Sequence, residues 1–154
     1  MIYKTSHWYG AVEQEIRNDA VEIIYFLRNF EKYDHVGDLD LLNYLRPFID
    51  NRQFKLFRNK GVVSGYVSWA FFDDLNQHIF KKIGTPHRIN SGHNAWIIDV
   101  VSTDNVKNQV KWLFNYFRNK YGINKKINYI RVDQYNNICT VGSKYTKEYH
   151  RWAE

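Results

Sequence analysis

The sequence Asn-Ala-Trp-Ile-Ile-Asp-Val-Val-Ser at residues 94–102, followed by Val-Lys-Asn-Gln-Val-Lys-Trp-Leu-Phe-Asn-Tyr-Phe-Arg-Asn-Lys-Tyr-Gly at residues 106–122, decides the fold. In the first part, β-branched and aromatic residues occupy both the odd and the even positions, which predicts a strand covered on both faces. In the second part apolar side chains recur at helical spacing, which predicts an amphipathic helix. Asp104 is expected to cap the start of this helix, and Gly122 to end it in a left-handed conformation. Strand and helix together form half of an α/β layer.

Asp99 interrupts the apolar strand. An ionised carboxylate inside such a strand is costly unless it is paired or strongly hydrogen-bonded. One interpretation is structural: the carboxylate lies at a strand bend, where it caps a loop or meets an arginine. The other is catalytic, since carboxylates in unusual surroundings are enriched at active sites. The residues alone leave both interpretations open.

The composition predicts one globular domain spanning residues 1–154. Hydrophobic residues make up 44% and aromatic residues 18% of the chain, which excludes disorder. No apolar run is long enough to cross a bilayer, and the N-terminus lacks the apolar core of a signal peptide. The single cysteine, Cys139, excludes an internal disulfide and fits a reducing compartment. A cytoplasmic protein is expected.

The net charge of +6 is concentrated after Val106. A basic segment of this kind indicates an acidic partner, whether nucleic acid, anionic lipid or an acidic protein, although a solvated basic surface is the commoner explanation. No signature of a nucleic-acid-binding module accompanies the charge, so no nucleic-acid partner is expected.

Two helices precede the central strand, and further strands surround it. Apolar spacing and turn residues predict helices at 11–30 and 38–49, strands at 54–57 and 62–72, a helix at 73–83, and strands at 127–133 and 138–143. Asp38 is expected to cap the second helix, and Asn59-Lys60-Gly61 and residues 135–137 are expected to turn the two hairpins. The order α-α-β-β-β-α-β-β indicates an α+β fold with a mixed, mainly antiparallel sheet flanked by helices. This layout resembles the GCN5-related acetyltransferase fold.

Several kinds of site lack their sequence signals. The six histidines show no metal-ligand spacing, so no metal is expected. No glycine-rich phosphate loop and no nucleophile elbow is present. Coenzyme A-dependent members of the resembled fold bind pyrophosphate with glycines in the turn after the central strand. Here that turn is Val101-Ser102-Thr103-Asp104-Asn105, so no tightly bound cofactor is expected. An acyl donor is expected on an acyl carrier protein, whose acidity suits the basic segment.

Three short pieces of the chain resemble the RTX toxin-activating lysine acyltransferases, the family of the hemolysin activator. They are Gly-Tyr-Val-Ser-Trp-Ala at 65–70, Trp-Ile-Ile-Asp at 96–99 and Ile-Arg-Val-Asp at 130–133, and their order and separations also fit, from about Ile24 to Thr146. The resemblance implies fatty acyl transfer from acyl carrier protein to lysine side chains of a protoxin, performed by a histidine and an aspartate. Asp99 matches the family aspartate.

The histidine implied by the resemblance lies between the first two helices, where this chain has only His35. In this hypothesis His35 accepts a proton from the attacking nucleophile and Asp99 orients the imidazole. A gapless alignment instead places Tyr33 at the motif position, and the serine and proline expected before the histidine are absent. His35 as a surface loop residue is the alternative.

The chain ends soon after Tyr145, where toxin activators continue, and so also resembles short members from siderophore-microcin maturation clusters. That resemblance implies attachment of a glycosylated siderophore, from an ester donor and with a partner protein, to the C-terminal serine of a bacteriocin precursor. A further alternative is a non-catalytic module that binds an acidic partner through basic residues (Lys107, Lys111, Lys125 and Lys126). The donor, the acceptor residue and the homo- or hetero-oligomeric state are left open.

Overall fold

A computed structural model describes residues 2–132 and 137–148. The elements are α1 (Ile2–Leu27), α2 (Glu31–Asp34), α3 (Asp38–Asp50), β1 (Phe54–Asn59), β2 (Val62–Phe72), α4 (Asp74–Ile83), β3 (Asn94–Ser102), α5 (Lys107–Tyr121), β4 (Lys126–Val132) and β5 (Ile138–Tyr145). The strands form one sheet in the order β1-β2-β3-β4-β5. Only β3 and β4 pair in parallel. This confirms the α+β class with a mixed, mainly antiparallel sheet, consistent with the acetyltransferase-like layout.

The first hairpin turns where the sequence predicts. Lys60 and Gly61 connect β1 to β2 with φ angles of 52° and 81°. Two successive positive φ angles are typical of the tight turn whose twist matches that of antiparallel strands, and glycine supplies the second without strain. The predicted turn at residues 135–137 falls largely outside the described residues.

The sheet is covered on both faces, as the apolar character of β3 predicts. Helix α5 covers one face, where Leu113, Phe114 and Phe117 pack against side chains of β2, β3 and β4. Helices α1 and α3 cover the opposite face through buried residues such as Ile23 and Leu45. At one end of the sheet, Phe80 of α4 packs against Phe72 and Trp96.

Several predicted helix ends are wrong, by as many as nine residues at the start of α1. Helix α1 spans Ile2–Leu27 instead of 11–30, and one helical turn, α2, occupies the break that follows. Asp38 lies in the first turn of α3, with Gly37 at the cap position.

The predicted ends of α5 also differ. Asp104 does not cap this helix, which begins after Val106, because the side chain of Asn105 takes the hydrogen bond from the Lys107 amide at 3.0 Å. Gly122 has a positive φ of 92° but an extended ψ of −178°, so it leaves the helix directly into the next segment and not through a left-handed cap.

Candidate active site

A cleft opens between the two parallel strands of the sheet. β3 and β4 pair only at Ala95–Ile127 and Trp96–Asn128, and beyond these pairs the strands separate. A cavity of about 640 Å³ lies in the gap. Its walls are mainly apolar, with contributions from Ile97, Val100, Val110, Phe114, Tyr129 and Ile130, and Asp99 belongs to the same wall.

A β-bulge aims Asp99 toward the N-terminal helices. Ser68 pairs with Asp99 and the next residue of β2, Trp69, pairs with Ile97, so Ile98 is an extra residue in β3. Without the bulge, Asp99 would share the α5 side with Ile97 because side chains alternate along a strand. With it, Val100 takes the α5 side and Val101 packs against the cluster of α1 and α3. The carboxylate therefore faces α2 and α3.

The Asp99 carboxylate is buried and fully engaged. The side chain is only 4% exposed. Its Oδ1 accepts a hydrogen bond from the Tyr33 hydroxyl at 2.6 Å, and its Oδ2 accepts one from the Tyr44 hydroxyl at 2.6 Å. The ammonium group of Lys32, on a half-exposed side chain, lies 3.7 Å from Oδ1. Such charge-assisted hydrogen bonds stabilise an ionised carboxylate. These described partners of Asp99 are two tyrosines and a lysine, not the loop or the arginine of the structural interpretation.

The tyrosines around Asp99 are held in their neutral form. Burial, and then the negative charge of Asp99, raise the pKa of Tyr33 and of Tyr44 far above the ordinary value. The same two causes raise the pKa of Tyr66, and the nearby Ser68 hydroxyl, which lies outside hydrogen-bond geometry, opposes the shift. Neutral phenols are hydrogen-bond donors, which is the role that Tyr33 and Tyr44 have toward Asp99.

Arg28 fixes the segment that carries Tyr33. Its guanidinium donates to the backbone carbonyl of Tyr33 at 2.8 Å and to that of Val36, and it pairs with the Asp38 carboxylate. Arg28 directly follows α1, so these contacts join the end of that helix to the short connection that contains α2. Arg28 therefore holds the backbone of Tyr33, and Asp99 holds its hydroxyl.

A comparison with protein families finds one matching family model. The profile described as HlyC, RTX toxin acyltransferase family, matches residues 20–141. The chain belongs to this family. Tyr33, Tyr44 and Asp99 lie within the matched range, and the match confirms the family resemblance seen in the short sequence pieces. Membership supports a toxin-activating acyltransferase, with a toxin as substrate and an acyl carrier protein as partner. A comparison with curated proteins finds no match.

Among the described contacts, none joins His35 to Asp99. Its imidazole is 77% exposed, and its Nδ1 lies 3.1 Å from the carboxylate of Asp34. Tyr33, two residues earlier, lines the cleft and contacts Asp99. The structure thus brings Asp99 together with Tyr33, and the catalytic role of His35 stays a prediction.

Tyr44 is a site residue that the sequence reasoning missed. It lies on the inward stripe of α3 with Leu41, Leu45 and Phe48, where it resembles an ordinary core aromatic. The available signal was its hydroxyl, because a tyrosine on a buried helix face needs a hydrogen-bond partner. The unexplained buried carboxylate of Asp99 is that partner.

Basic side chains surround the cleft of this acyltransferase family member. Lys32, Lys107, Arg131 and Lys144 all line it, whereas Asp99 is its one acidic lining residue among those described. Burial, followed by the charges of Arg131 and Lys147, lowers the pKa of Lys144. Of the lysines predicted to bind an acidic partner, Lys107 lies at the cleft, and Lys125 contacts the His93 carbonyl at 3.1 Å.

Two further observations concern the described residues only. No group of three or more histidine, cysteine, aspartate or glutamate side chains in residues 2–132 and 137–148 is placed to hold a metal ion. None of the helices in that part of the chain combines the length and the apolar character that crossing a membrane requires.

Proposed function

We propose that this chain transfers an acyl group from a carrier-borne donor to a ribosomally made toxin or bacteriocin precursor, in the cleft between β3 and β4. The observation that carries the proposal is the position of Asp99, a buried and hydrogen-bonded carboxylate in the wall of a mainly apolar cavity. A cavity of about 640 Å³ has the size of an ordinary small-molecule site. Apolar walls suit a fatty acyl chain, and the buried polar cluster supplies the chemistry.

The charges around the cleft support acyl carrier protein as the donor partner. Basic side chains on both sides of the opening attract an acidic carrier and raise its association rate. The turn after β3 contains Asp104 and no glycine, which disfavours a coenzyme A pyrophosphate at that place. We therefore propose a thioester donor delivered on its carrier, without a tightly bound cofactor.

The proposed reaction forms one bond at the acyl carbon and breaks another. A neutral lysine amine of the precursor attacks the carbonyl carbon, the new C–N bond forms, and the C–S bond of the thioester breaks. One proton leaves the amine and one is taken up by the departing thiolate, so the enzyme is unchanged. Asp99 supports this proton transfer, and the family resemblance implies His35 as its partner.

A second candidate rests on the aromatic side chains of Phe30 and Tyr129 in the cleft wall. Aromatic rings favour a flat aromatic donor such as a catecholate siderophore. In this version the donor is a siderophore ester, the acceptor is the C-terminal serine of a microcin precursor, and a partner modification protein takes part. The serine oxygen forms a new C–O bond to the acyl carbon, the ester C–O bond of the donor breaks, and the departing alcohol takes up the proton that the serine hydroxyl loses.

Intact-mass analysis of a co-expressed precursor tests the proposal. The wild-type chain is expected to add one donor group, and Asp99→Asn to slow the addition by about 100- to 10,000-fold. Asp104→Asn, an exposed carboxylate of the neighbouring turn, is the matched control. The added mass separates a fatty acyl group from a siderophore, and tandem fragmentation separates lysine from the terminal serine.

Two results would contradict the proposal. Full modification by Asp99→Asn would remove this carboxylate from the reaction. An unmodified precursor that binds the wild-type chain, and is released by salt, would instead indicate the non-catalytic basic binding module.

A further inference from the structure

We propose that Tyr33 is the catalytic acid–base residue of this chain, relaying a proton between the acceptor and Asp99, and that Tyr44 is a positioning residue for the carboxylate. The inference rests on the proposed acyl transfer and specifies which side chain meets the acceptor. It replaces the imidazole implied by the family resemblance with a phenol.

The two tyrosines occupy different sides of the same carboxylate. The Tyr33 hydroxyl lies 2.6 Å from Oδ1 of Asp99, and Tyr33 also lines the cleft. The Tyr44 hydroxyl lies 2.6 Å from Oδ2, and Tyr44 does not belong to the cleft wall. Of these two phenols, Tyr33 therefore lies between the carboxylate and an acceptor in the cleft. Tyr44 holds the carboxylate through its other oxygen, away from the cleft.

A phenol hydroxyl can both donate and accept a hydrogen bond, as a group that relays a proton must. Tyr33 uses its single proton to donate to Asp99, and its oxygen keeps lone pairs that can accept from an amine or hydroxyl in the cleft. Burial and the charge of Asp99 keep this phenol neutral, so a free phenolate is not the base. Proton movement through the phenol needs no phenolate, because the oxygen gains one proton as it releases another.

The relay balances in both directions. As the acceptor attacks the acyl carbon, its proton passes to the Tyr33 oxygen while the original phenol proton passes to Oδ1 of Asp99. When the C–S bond breaks, Asp99 returns its proton to Tyr33, and Tyr33 gives one to the departing thiolate. The new C–N or C–O bond replaces the C–S bond, and both side chains end as they began.

The surrounding contacts favour Tyr33 over His35. Arg28 holds the backbone carbonyls of Tyr33 and Val36, on both sides of His35. Turning the imidazole away would break its approach to Asp34, and moving the backbone of His35 toward the cleft would strain the contacts of Arg28 on either side. The ammonium of Lys32 lies 3.7 Å from Oδ1 of Asp99 and 5.3 Å from the centre of the Tyr33 ring, so a positive charge lies beside this pair.

The test measures two reactions of the wild-type chain and its variants. One is hydrolysis of a short acyl thioester of N-acetylcysteamine, which needs no precursor, and the other is transfer to the precursor. Tyr33→Phe is expected to lower kcat of both by about 100- to 10,000-fold with little change in KM. Tyr44→Phe is expected to lower kcat about tenfold, as the loss of one hydrogen bond to the carboxylate.

Matched controls separate the oxygen atom from general effects of substitution. Tyr25→Phe removes a phenol oxygen from a side chain that is 75% exposed, and His78→Ala removes an exposed imidazole. Both are expected to retain wild-type rates. His35→Ala is the competing variant, with a smaller loss than Tyr33→Phe expected.

Replacing Tyr33 with histidine tests the relay through the pH dependence of activity, which would not change if Tyr33 had only a structural role. Tyr33→His is expected to recover part of the lost rate and to gain an acid limb, with activity falling below about pH 6.5 as the imidazole protonates. The wild-type profile should lack this limb. The titratable groups that face the pair are Lys32 from α2, Tyr44 from α3 and Tyr66 from β2, and all are common to both proteins.

The outcomes distinguish the relay from the proposed function. Near wild-type rates in Tyr33→Phe, or an equal loss in His35→Ala, would overturn the relay. Hydrolysis that depends on Tyr33 without any modified precursor would support the relay and refute the proposed acceptor. A wild-type chain inactive in both reactions would refute both.

Discussion

Removing the two phenol oxygens that hold Asp99 is expected to destabilise the folded chain more than additively. Each of Tyr33→Phe and Tyr44→Phe deletes one hydrogen bond to a buried charged group, at a cost of about 1.5–3 kcal/mol. The double variant leaves the carboxylate with Lys32 alone. Because its ammonium is 3.7 Å away on a half-exposed side chain, the double loss should exceed the sum of the single losses by about 1 kcal/mol.

Urea unfolding at neutral pH, followed by tryptophan fluorescence and extrapolated linearly, measures these free energies. Tyr25→Phe on the surface is the control and should change the free energy of unfolding by less than about 0.5 kcal/mol. Asp99→Asn in the double-variant background should restore stability, since an amide carries no charge to leave unpaired. Single losses below about 0.5 kcal/mol, or no recovery with Asp99→Asn, would refute a carboxylate held by two phenols.

Four further outcomes are expected. The pKa values of Tyr33, Tyr44 and Tyr66 are raised in the folded chain above about 10, the value expected in the unfolded chain. Below about pH 10 the tyrosines are neutral in both states and the free energy of unfolding is unaffected. Above it only the unfolded chain ionises, so the free energy of unfolding falls by up to about 1.4 kcal/mol per pH unit for each tyrosine. Urea midpoints between about pH 9 and pH 11 should therefore fall less steeply in Tyr44→Phe than in Tyr25→Phe. Gly92→Ala should cost about 1–3 kcal/mol in urea unfolding, because its Cβ would lie 2.6 Å from the Asp73 backbone. Arg28→Met should lower thermal stability and slow acyl transfer together, as the segment carrying Tyr33 loses its backbone hydrogen bonds. Gly142→Ala places a Cβ 2.6 Å from the Tyr129 ring, so it should raise KM for long acyl donors more than for short ones.

The alternation and spacing of apolar residues predicted the elements of this fold well. The apolar run of β3 and the helical stripe of α5 were both recognisable because burial imposes a period on the sequence. Helix ends were harder to predict, since Asp104, Asn105 and Val106 all lie where a cap could form. Which of them does so depends on where the chain leaves the sheet.

The candidate site was predictable in part. Asp99 was recognisable as a carboxylate among apolar residues, but its direction depends on the bulge at Ile98, which leaves no clear mark in a run of β-branched residues. Its partners could not be read from spacing, because Tyr33 and Tyr44 are 66 and 55 residues away along the chain. Contacts of that range are set by the packing of α2 and α3 on the sheet.

The short pairing between β3 and β4 has a mechanical consequence. If β4 turned about these two residue pairs, its far end would lie about 13 Å from the pivot, taking four residues at the usual rise. A rotation of about 10° would widen the far end by about 2 Å while both pairs stay intact. Such a turn would change the width available to a donor without breaking either backbone pair, so acyl groups that differ in thickness would not require the sheet to open.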